Sequence, residues 1–315
     1  MIKIENLEQC EISNKGYGGH SGSKKGLLIN GENWLVKYPK STKSMEVENL
    51  SYTTTPLSEY LGSHIYELIG IDVHKTMLGF SNGKIVVACK DFLKNTEEIL
   101  DYNAIKNNYE EDIEKYLENR SSSKFDRTDE LNDIEYIMDN NDYFKKVPEL
   151  KDRFWDMFVI DAFINNNDRN EGNWGLILDK ETGNLRLSPV YDNGASFFGK
   201  SADEKLSNAL SDKFKFKQMT YDSCISTFKE NGKIINPLKY IESMKNNECN
   251  KAIIRIFPRI KLENIKKMFD EIPEYYDDLV IFSSTQRETY YKILEYKYNN
   301  VFKPVYENLR NILNK

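Results

Sequence analysis

The most informative segment of the chain runs from Phe154 to Gly175 and reads F-W-D-M-F-V-I-D-A-F-I-N-N-N-D-R-N-E-G-N-W-G. Its first half is almost entirely apolar, which predicts a buried helix. Its second half is rich in asparagine and charge, which predicts that the helix ends in a polar loop. The loop contains a carboxylate, Asp168, and five positions later a side-chain amide, Asn173.

The spacing D-x-x-x-x-N indicates phosphoryl transfer. A kinase needs a carboxylate to accept the proton of the attacking hydroxyl, and an amide oxygen to hold Mg²⁺. Asp168 fits the first role and Asn173 the second. The alternative is that this stretch is only a polar turn in an asparagine-rich protein.

The residues that follow favour the kinase interpretation. Leu176 to Leu178 and Leu185 to Leu187 are short apolar runs on either side of a turn that contains Gly183, which predicts a β-hairpin. The hairpin leads to Asp192-Asn193-Gly194, which stands where a protein kinase carries D-F-G. We therefore expect Asp192 to be the second metal ligand.

These motifs resemble those of the HipA-like serine/threonine kinases. The family pattern D-x-x-x-x-N-x-D-R-H-x-x-N is matched by Asp161, Asn166, Asp168, Arg169 and Asn173, and the Y-D element by Tyr191 and Asp192. The resemblance covers most of the chain. It implies a two-lobed kinase fold, serine or threonine acceptors and modification of the enzyme's own glycine-rich loop.

One position departs from the family motif, and another lies in apolar surroundings. Asn170 stands where the family usually carries histidine, and asparagine donates a hydrogen bond but does not titrate near neutrality. Asp161 lies on the apolar helix, where an unpaired carboxylate would be costly, so we expect it to support the loop through hydrogen bonds.

The nucleotide half is predicted upstream. Gly16 to Gly26, G-Y-G-G-H-S-G-S-K-K-G, is a glycine-rich segment whose backbone amides can approach phosphate oxygens. The candidate nucleotide-binding residues here are Gly18, Gly19, Ser21, Gly22, Ser23 and Lys24. The segment matches neither G-x-G-x-x-G nor the Walker pattern, so a mobile surface loop is the alternative.

A strand lysine and its partner come next. Trp34 to Lys37 reads as the second strand of a hairpin, and Lys37 resembles the lysine that contacts the α and β phosphates. The resemblance implies that Glu59, on the helix that begins near Pro56, pairs with Lys37. Glu67 is the alternative partner.

The hinge that binds adenine is predicted after the next strand. Lys84 to Ala88 is apolar and β-branched, and it leads into the candidate nucleotide-binding residues Lys90, Asp91 and Phe92.

Composition is that of a soluble, cytoplasmic enzyme. The chain has 315 residues, a mass of 36.9 kDa and a net charge of −6, without a signal peptide pattern or a long apolar window for a membrane span. The resemblance also allows non-classical secretion into host cells. Four cysteines form no C-x-x-C motif, which argues against a zinc site.

The acidic charge is concentrated in one segment. Residues 94 to 146 contain 15 acidic and 8 basic residues. Helical patterns at Ile99 to Leu117 and Leu131 to Met138 predict a solvated helical insertion over residues 94–147. Docking of a basic partner is an alternative, and direct nucleic-acid binding gains no support.

The sequence thus predicts an α+β, two-lobed kinase with a β-rich N-lobe over residues 1–92 and a largely helical C-lobe over residues 93–315. Its predicted reaction is ATP- and Mg²⁺-dependent phosphorylation of a protein, with autophosphorylation. The alternatives are a phosphoinositide kinase and a catalytically weak nucleotide-binding adaptor.

Overall fold

The computed structural model describes residues 1–17, 24–45, 50–106 and 130–314. Six N-terminal strands form one mixed sheet in the order β1-β5-β6-β4-β3-β2, in which β1 and β5 are parallel and the other neighbours antiparallel. These strands are β1 (Glu5–Asn6), β2 (Glu11–Ile12), β3 (Lys24–Ile29), β4 (Glu32–Lys37), β5 (Thr76–Ser81) and β6 (Lys84–Lys90).

The β3–β4 hairpin determines which way Lys37 faces. Asn30 and Gly31 connect the strands with φ angles of 54° and 78°, as a two-residue hairpin turn requires. On one face of the sheet Trp34 and Val36 pack into a small apolar core. Lys37 alternates with them and therefore lies on the opposite face, directly across from its Cα partner Lys24.

Helix α1 (Thr55–Ile69) packs against that opposite face. Pro56 lies in its first turn, and the helix ends at Gly70, whose φ of 82° is left-handed. Leu57, Leu61 and Ile65 are buried in the main core. This packing brings Glu59, one turn into the helix, beneath strand β4.

A second sheet has three antiparallel strands in the order β7-β8-β9. They are β7 (Glu97–Asp101), β8 (Gly175–Asp179) and β9 (Leu185–Leu187). The β8–β9 hairpin agrees with the sequence prediction. The predicted helix from Ile99 to Leu117 is wrong at its start, because Glu97–Asp101 pairs with β8 as a strand, and pairing with a distant segment overrides local helical spacing.

The rest of the described chain is mainly helical. The helices after α1 are α2 (Tyr102–Lys106), α3 (Leu131–Asn140), α4 (Asp142–Lys145), α5 (Leu150–Ile164), α6 (Asp203–Leu210), α7 (Lys213–Lys217), α8 (Pro237–Glu242), α9 (Asn247–Ile256), α10 (Leu262–Glu271), α11 (Ser284–Lys297) and α12 (Lys303–Leu313). Two short hairpins, Lys229–Glu230 with Lys233–Ile234 and Tyr275–Tyr276 with Leu279–Val280, complete the fold. Helix α3 agrees with the predicted Leu131 to Met138 pattern, whereas residues 107–129 of the predicted insertion lie outside the described residues.

Helix α5 is the central element of this part of the molecule. Of its 15 residues 12 are buried, including Trp155, Phe158 and Phe163. Helix α9 packs along it. No helix among the described residues combines the length and the apolar character that a bilayer span needs.

A buried lysine caps the C-terminal end of α5. Lys297, at the end of α11, has no exposed surface. Its ammonium donates to the carbonyls of Ala162 and Phe163, at 2.7 and 3.2 Å, and to Asn165 Oδ1 at 2.5 Å. Carbonyls at a helix C-terminus carry partial negative charge, so they compensate an ammonium that pairs with no carboxylate among the described residues.

We predict that Lys297→Ala lowers the free energy of unfolding by about 2–4 kcal/mol, because it leaves a cavity and unsatisfied buried carbonyls. Lys292→Ala on the same helix removes only an exposed pair with Glu288 and should change it by less than about 0.5 kcal/mol. Urea unfolding of both variants measures the difference. Equal losses would show that the buried ammonium has no special part in stability.

Candidate active site

A buried ion pair between Asp161 and Arg169 organises the loop that follows α5. Arg169 Nε lies 2.8 Å from Asp161 Oδ2, and Nη2 lies 3.0 Å from Oδ1. Tyr66 Oη and Asn166 Nδ2 also donate to Asp161 Oδ1, at 2.8 and 2.9 Å. The expectation that Asp161 supports the loop through hydrogen bonds is confirmed.

The same guanidinium also holds the chain around Asp192. Arg169 Nη1 donates to the backbone carbonyls of Asn173 and Tyr191, at 3.1 and 2.6 Å, and Nη2 donates to Asn193 Oδ1 at 2.6 Å. Burial lowers the pKa of Arg169, but the carboxylate of Asp161 raises it by more, so the side chain stays charged. One cation thus fixes the polar loop relative to the segment after β9.

Asp168 itself is exposed and points into a cleft. Asn173 Nδ2 donates to its backbone carbonyl at 2.7 Å, and Asn170 Nδ2 donates to its Oδ1 at 3.0 Å. Asn170 is oriented by Gly172, whose backbone N–H donates to Asn170 Oδ1 at 3.0 Å. The asparagine at the family's histidine position therefore orients the Asp168 carboxylate.

Lys37 lies between two carboxylates. Its Nζ is 2.6 Å from Glu59 Oε2 and 2.8 Å from Asp192 Oδ1. Burial lowers the pKa of Lys37, but Glu59 and Asp192 raise it by more. Burial raises the pKa of Glu59, but Lys37 and His74 lower it by more, so both members of the pair are charged at neutral pH.

The structure distinguishes the two glutamates considered as partners of Lys37. Glu59 is 1% exposed and forms the ion pair, whereas Glu67 is exposed on the outer part of α1. The two residues lie two helical turns apart, but the side chain of Glu59 faces the sheet.

Two of the predicted hinge residues form contacts with side chains from β4 and from the segment that follows β2. Lys90 Nζ pairs with Glu32 at 2.6 Å. Asp91 Oδ2 accepts hydrogen bonds from Tyr17 Oη at 3.0 Å and Lys15 Nζ at 2.5 Å. Asp91 therefore anchors the chain just before residues 18–23.

The other predicted nucleotide-binding residues divide into two groups. Phe92 packs against Tyr191 with ring centroids 5.8 Å apart, and Lys24 lines the same cleft as Lys37. Gly18, Gly19, Ser21, Gly22 and Ser23 lie outside the described residues. Their phosphate-binding role stays a prediction.

A cavity of about 350 Å³ connects the charged groups. Its wall includes Lys24, Lys37, Glu59, Asp168 and Asp192, together with the segment from Gly194 to Ser201. A cavity of this size, lined by Lys24, Lys37 and the exposed carboxylate of Asp168, suits a phosphorylated ligand next to a polar acceptor.

The oxygen donors in this region suit Mg²⁺. Because Asn173 uses Nδ2 in its bond to Asp168, Oδ1 is left as an acceptor, and Asp192 uses only Oδ1 with Lys37. Amide and carboxylate oxygens are the ligands that Mg²⁺ prefers. Asn173 and Asp192 thus fit the metal that the sequence implies.

A second cluster of donor atoms does not suit a metal. Glu59, His74 and Cys89 each place one donor atom within 4.8 Å of the others. Lys37 already neutralises Glu59, and burial raises the pKa of the Cys89 thiol, which therefore stays protonated.

Sequence reasoning missed three polar residues around Glu59. Ser63, His74 and Asn193 are buried and hydrogen bonded to one another or to Glu59. In the sequence Asn193 is only the middle residue of the Asp192-Asn193-Gly194 motif, and His74 belongs to no motif. Residues this distant in sequence carry no local signal of their contact.

Comparison with known proteins agrees with the fold. Residues 20–255 match the model of the HipA-like C-terminal domain. The chain is 35% identical over 266 residues to the serine/threonine-protein kinase CtkA of Helicobacter pylori, covering 84% of this chain and 78% of CtkA. The crystal structure of the H. pylori proinflammatory kinase CtkA superposes with a TM-score of 0.85 and 29% identity, covering 99% of this chain and 100% of that one.

A more distant structure shares the fold alone. The Shewanella oneidensis HipA, solved with HipB and operator DNA, has a TM-score of 0.51 and 13% identity, covering 94% of this chain and 68% of that one. The predicted α+β, two-lobed kinase fold is confirmed by these likenesses. The boundary between lobes at residue 92 stays a prediction.

The fold and the charged cleft together define a two-lobed kinase. Within that class, the chain belongs to the HipA-like serine/threonine kinase family. The resemblance seen in the segment from Asp161 to Asn173 is thus confirmed.

We predict that Asp161→Asn destabilises the fold by about 3–5 kcal/mol, because it leaves the Arg169 guanidinium buried without a counter-charge. Asp156→Asn is the matched control on the same helix. Its partner Arg255 is partly exposed, so the loss should stay near about 1 kcal/mol. Chemical denaturation tests this, and a loss at Asp161 no larger than at Asp156 would contradict the organising role of the buried pair.

Proposed function

We propose that this protein is an ATP- and Mg²⁺-dependent kinase that transfers the γ-phosphate of ATP to serine or threonine hydroxyls of proteins, including its own. The observation that carries the proposal is the position of Lys37, held between Glu59 and Asp192 in the cavity that also contains Asp168. The name of the H. pylori relative supports the acceptor class.

In this proposal Lys37 orients the nucleotide phosphates, and Lys24 adds a second positive charge beside it. Glu59 fixes the ammonium of Lys37 by a charge-assisted hydrogen bond. Lys90, Asp91 and Phe92 form the hinge next to adenine, with Asp91 anchoring the start of the glycine-rich segment.

Asp168 accepts the proton of the attacking hydroxyl as the acceptor oxygen forms its bond to the γ-phosphorus. The bond between that phosphorus and the bridging oxygen breaks, and ADP leaves. Asn170 keeps one oxygen of Asp168 hydrogen bonded, so the other faces the acceptor. Asparagine at this position orients the base and takes no proton itself.

Asn173 and Asp192 would hold Mg²⁺, which when bound neutralises phosphate charge. Arg169 fixes the positions of these two ligands relative to each other, because it donates to the backbone carbonyls of Asn173 and of Tyr191, the residue before Asp192.

One experiment separates the proposal from its alternatives. The purified chain is incubated with labelled ATP and Mg²⁺, in one arm with a generic protein substrate and in another with phosphoinositide vesicles. Label in protein supports the proposal, whereas label only in lipid would indicate a phosphoinositide kinase. ATP binding without any transfer would indicate a nucleotide-binding adaptor.

Substitution of either carboxylate should abolish transfer without unfolding the protein. Asp168→Ala removes the base and is expected to lower kcat about 100- to 10,000-fold. Asp192→Ala should also lose Mg²⁺-dependent turnover. Both side chains are at least partly exposed, so their thermal melting should stay close to that of the native chain.

Glu181→Ala is the control for this pair. Glu181 is an exposed carboxylate in the β8–β9 turn and lies outside the cavity lining. The metal assignment would be wrong if Asp192→Ala kept native Mg²⁺-dependent activity.

Autophosphorylation is expected on a hydroxyl of the glycine-rich segment, at Ser21 or Ser23. A phosphate adds about −1.5 to −2 charge beside the triphosphate, so the modified form should bind ATP more weakly. Mass spectrometry after incubation with ATP should find this phosphate in the native chain and not in Asp168→Ala. Ser196 and Ser201 are buried, which argues against them as sites in this conformation. A native protein that phosphorylates another substrate but stays unmodified would refute self-modification alone.

A further inference from the structure

Glu59 is held by more than Lys37. Its Oε2 accepts from Lys37, while its Oε1 accepts from the backbone N–H of Asn193 at 2.8 Å and lies 3.1 Å from His74 Nε2. The carboxylate therefore bridges strand β4, the chain after Asp192 and the segment before β5.

His74 is the least expected member of this arrangement. Its side chain is buried, and its Nε2 lies 3.1 Å from both Ser63 Oγ and Glu59 Oε1. Ser63 Oγ also accepts from Asn193 Nδ2 at 3.0 Å. Ser63, His74 and Asn193 thus form a closed polar cluster around one oxygen of Glu59, which we name the Glu59 clamp.

The proton on His74 can be placed from these contacts. An ionised carboxylate only accepts hydrogen bonds, so an imidazole nitrogen at hydrogen-bonding distance from it must carry a proton. His74 Nε2 is therefore a donor, and the ring is either the Nε2–H tautomer or the cation. A donor here stops the Glu59 carboxylate from rotating away from Lys37.

The backbone of His74 connects the clamp to the metal-ligand segment. The His74 N–H donates to the carbonyl of Val190 at 2.9 Å, two residues before Asp192. Val73 and Val190 also form a parallel bridge. His74 is thereby fixed to the same short segment that carries Asp192 and Asn193.

We infer that His74 is a positioning residue for phosphoryl transfer, acting through Glu59 to hold Lys37 in line with Asp192. This inference rests on the proposed function. In this inference His74, which is distant in sequence from the catalytic loop, fixes the orientation of the Glu59 carboxylate. The Glu59 clamp then couples α1 to the Asp192 segment.

The test compares the kcat of two His74 variants whose polar side chains differ in length. His74→Gln places an amide Nε2–H near the position of the imidazole Nε2, whereas the amide of His74→Asn ends short of Glu59. We expect His74→Asn to lower kcat about 10- to 100-fold, as expected for loss of a hydrogen bond to a charged group, with a smaller change in the KM for ATP. His74→Gln should recover most of the native kcat.

A double-mutant cycle with Glu59→Gln shows whether the effect of His74 on kcat depends on Glu59. If His74 acts through Glu59, His74→Asn should cause no further loss of kcat in the Glu59→Gln background. Additive losses would overturn the inference. His64→Asn is the control, because His64 lies on α1 and bonds to the Tyr60 carbonyl, outside the clamp; its kcat should stay within about twofold of native.

Three further outcomes are distinguishable. Equal kcat for His74→Asn and native enzyme would refute the inference and leave the kinase proposal intact. An equal loss in His74→Gln and His74→Asn with lowered melting temperatures would show a purely structural histidine. An inactive native protein would instead refute the proposed function.

Discussion

The guanidinium of Arg169 is the constraint on which the site depends. It is buried, so it has to be neutralised and hydrogen bonded at every N–H, and Asp161 with three oxygen acceptors does so. Replacing such a pair by apolar residues is often neutral for stability, so its value lies in specificity. The arrangement of the loop and the Tyr191–Asn193 segment that satisfies the cation places Asp168 and Asp192 on the wall of one cavity.

Contact between α1 and the Tyr191–Asn193 segment is polar for the same reason. The residue after Asp192 is asparagine, which offers one amide oxygen to Arg169 and one amide nitrogen to Ser63. Its own backbone N–H donates to Glu59. An apolar side chain at position 193 would pack in a range of orientations, whereas an amide with both ends bonded has one. Asn193 therefore connects Arg169, and with it the loop after α5, to the Lys37–Glu59 pair.

Much of the fold around the site could be predicted from the sequence, because the patterns that indicate it lie within short segments. The buried α5 helix, the loop from Asn165, the β8–β9 hairpin and the β3–β4 hairpin each follow from periodicity or turn residues within a short window. The predictions that failed depend on contacts between residues that are distant in sequence. Glu97–Asp101 has helical spacing but is a strand because β8 lies beside it, and His74 could not be assigned because its partners are Glu59 and Ser63, brought together only by packing of α1 on the sheet. The side chain of Asp91 is engaged by Tyr17 and Lys15, which a hinge motif does not indicate.

The two ion pairs of Lys37 have different parts in the proposed reaction. Lys37 shares its ammonium between Glu59 and Asp192, and a divalent cation at Asp192 would compete with it by charge repulsion. If Asp192 were its only anchor, the lysine would be released when the metal binds. Glu59 prevents this, because the Glu59 clamp holds its carboxylate independently of Asp192's side chain. In the proposed reaction Lys37 would exchange the carboxylate of Asp192 for a phosphate oxygen and keep its bond to Glu59, so that this ion pair would persist with and without a bound metal.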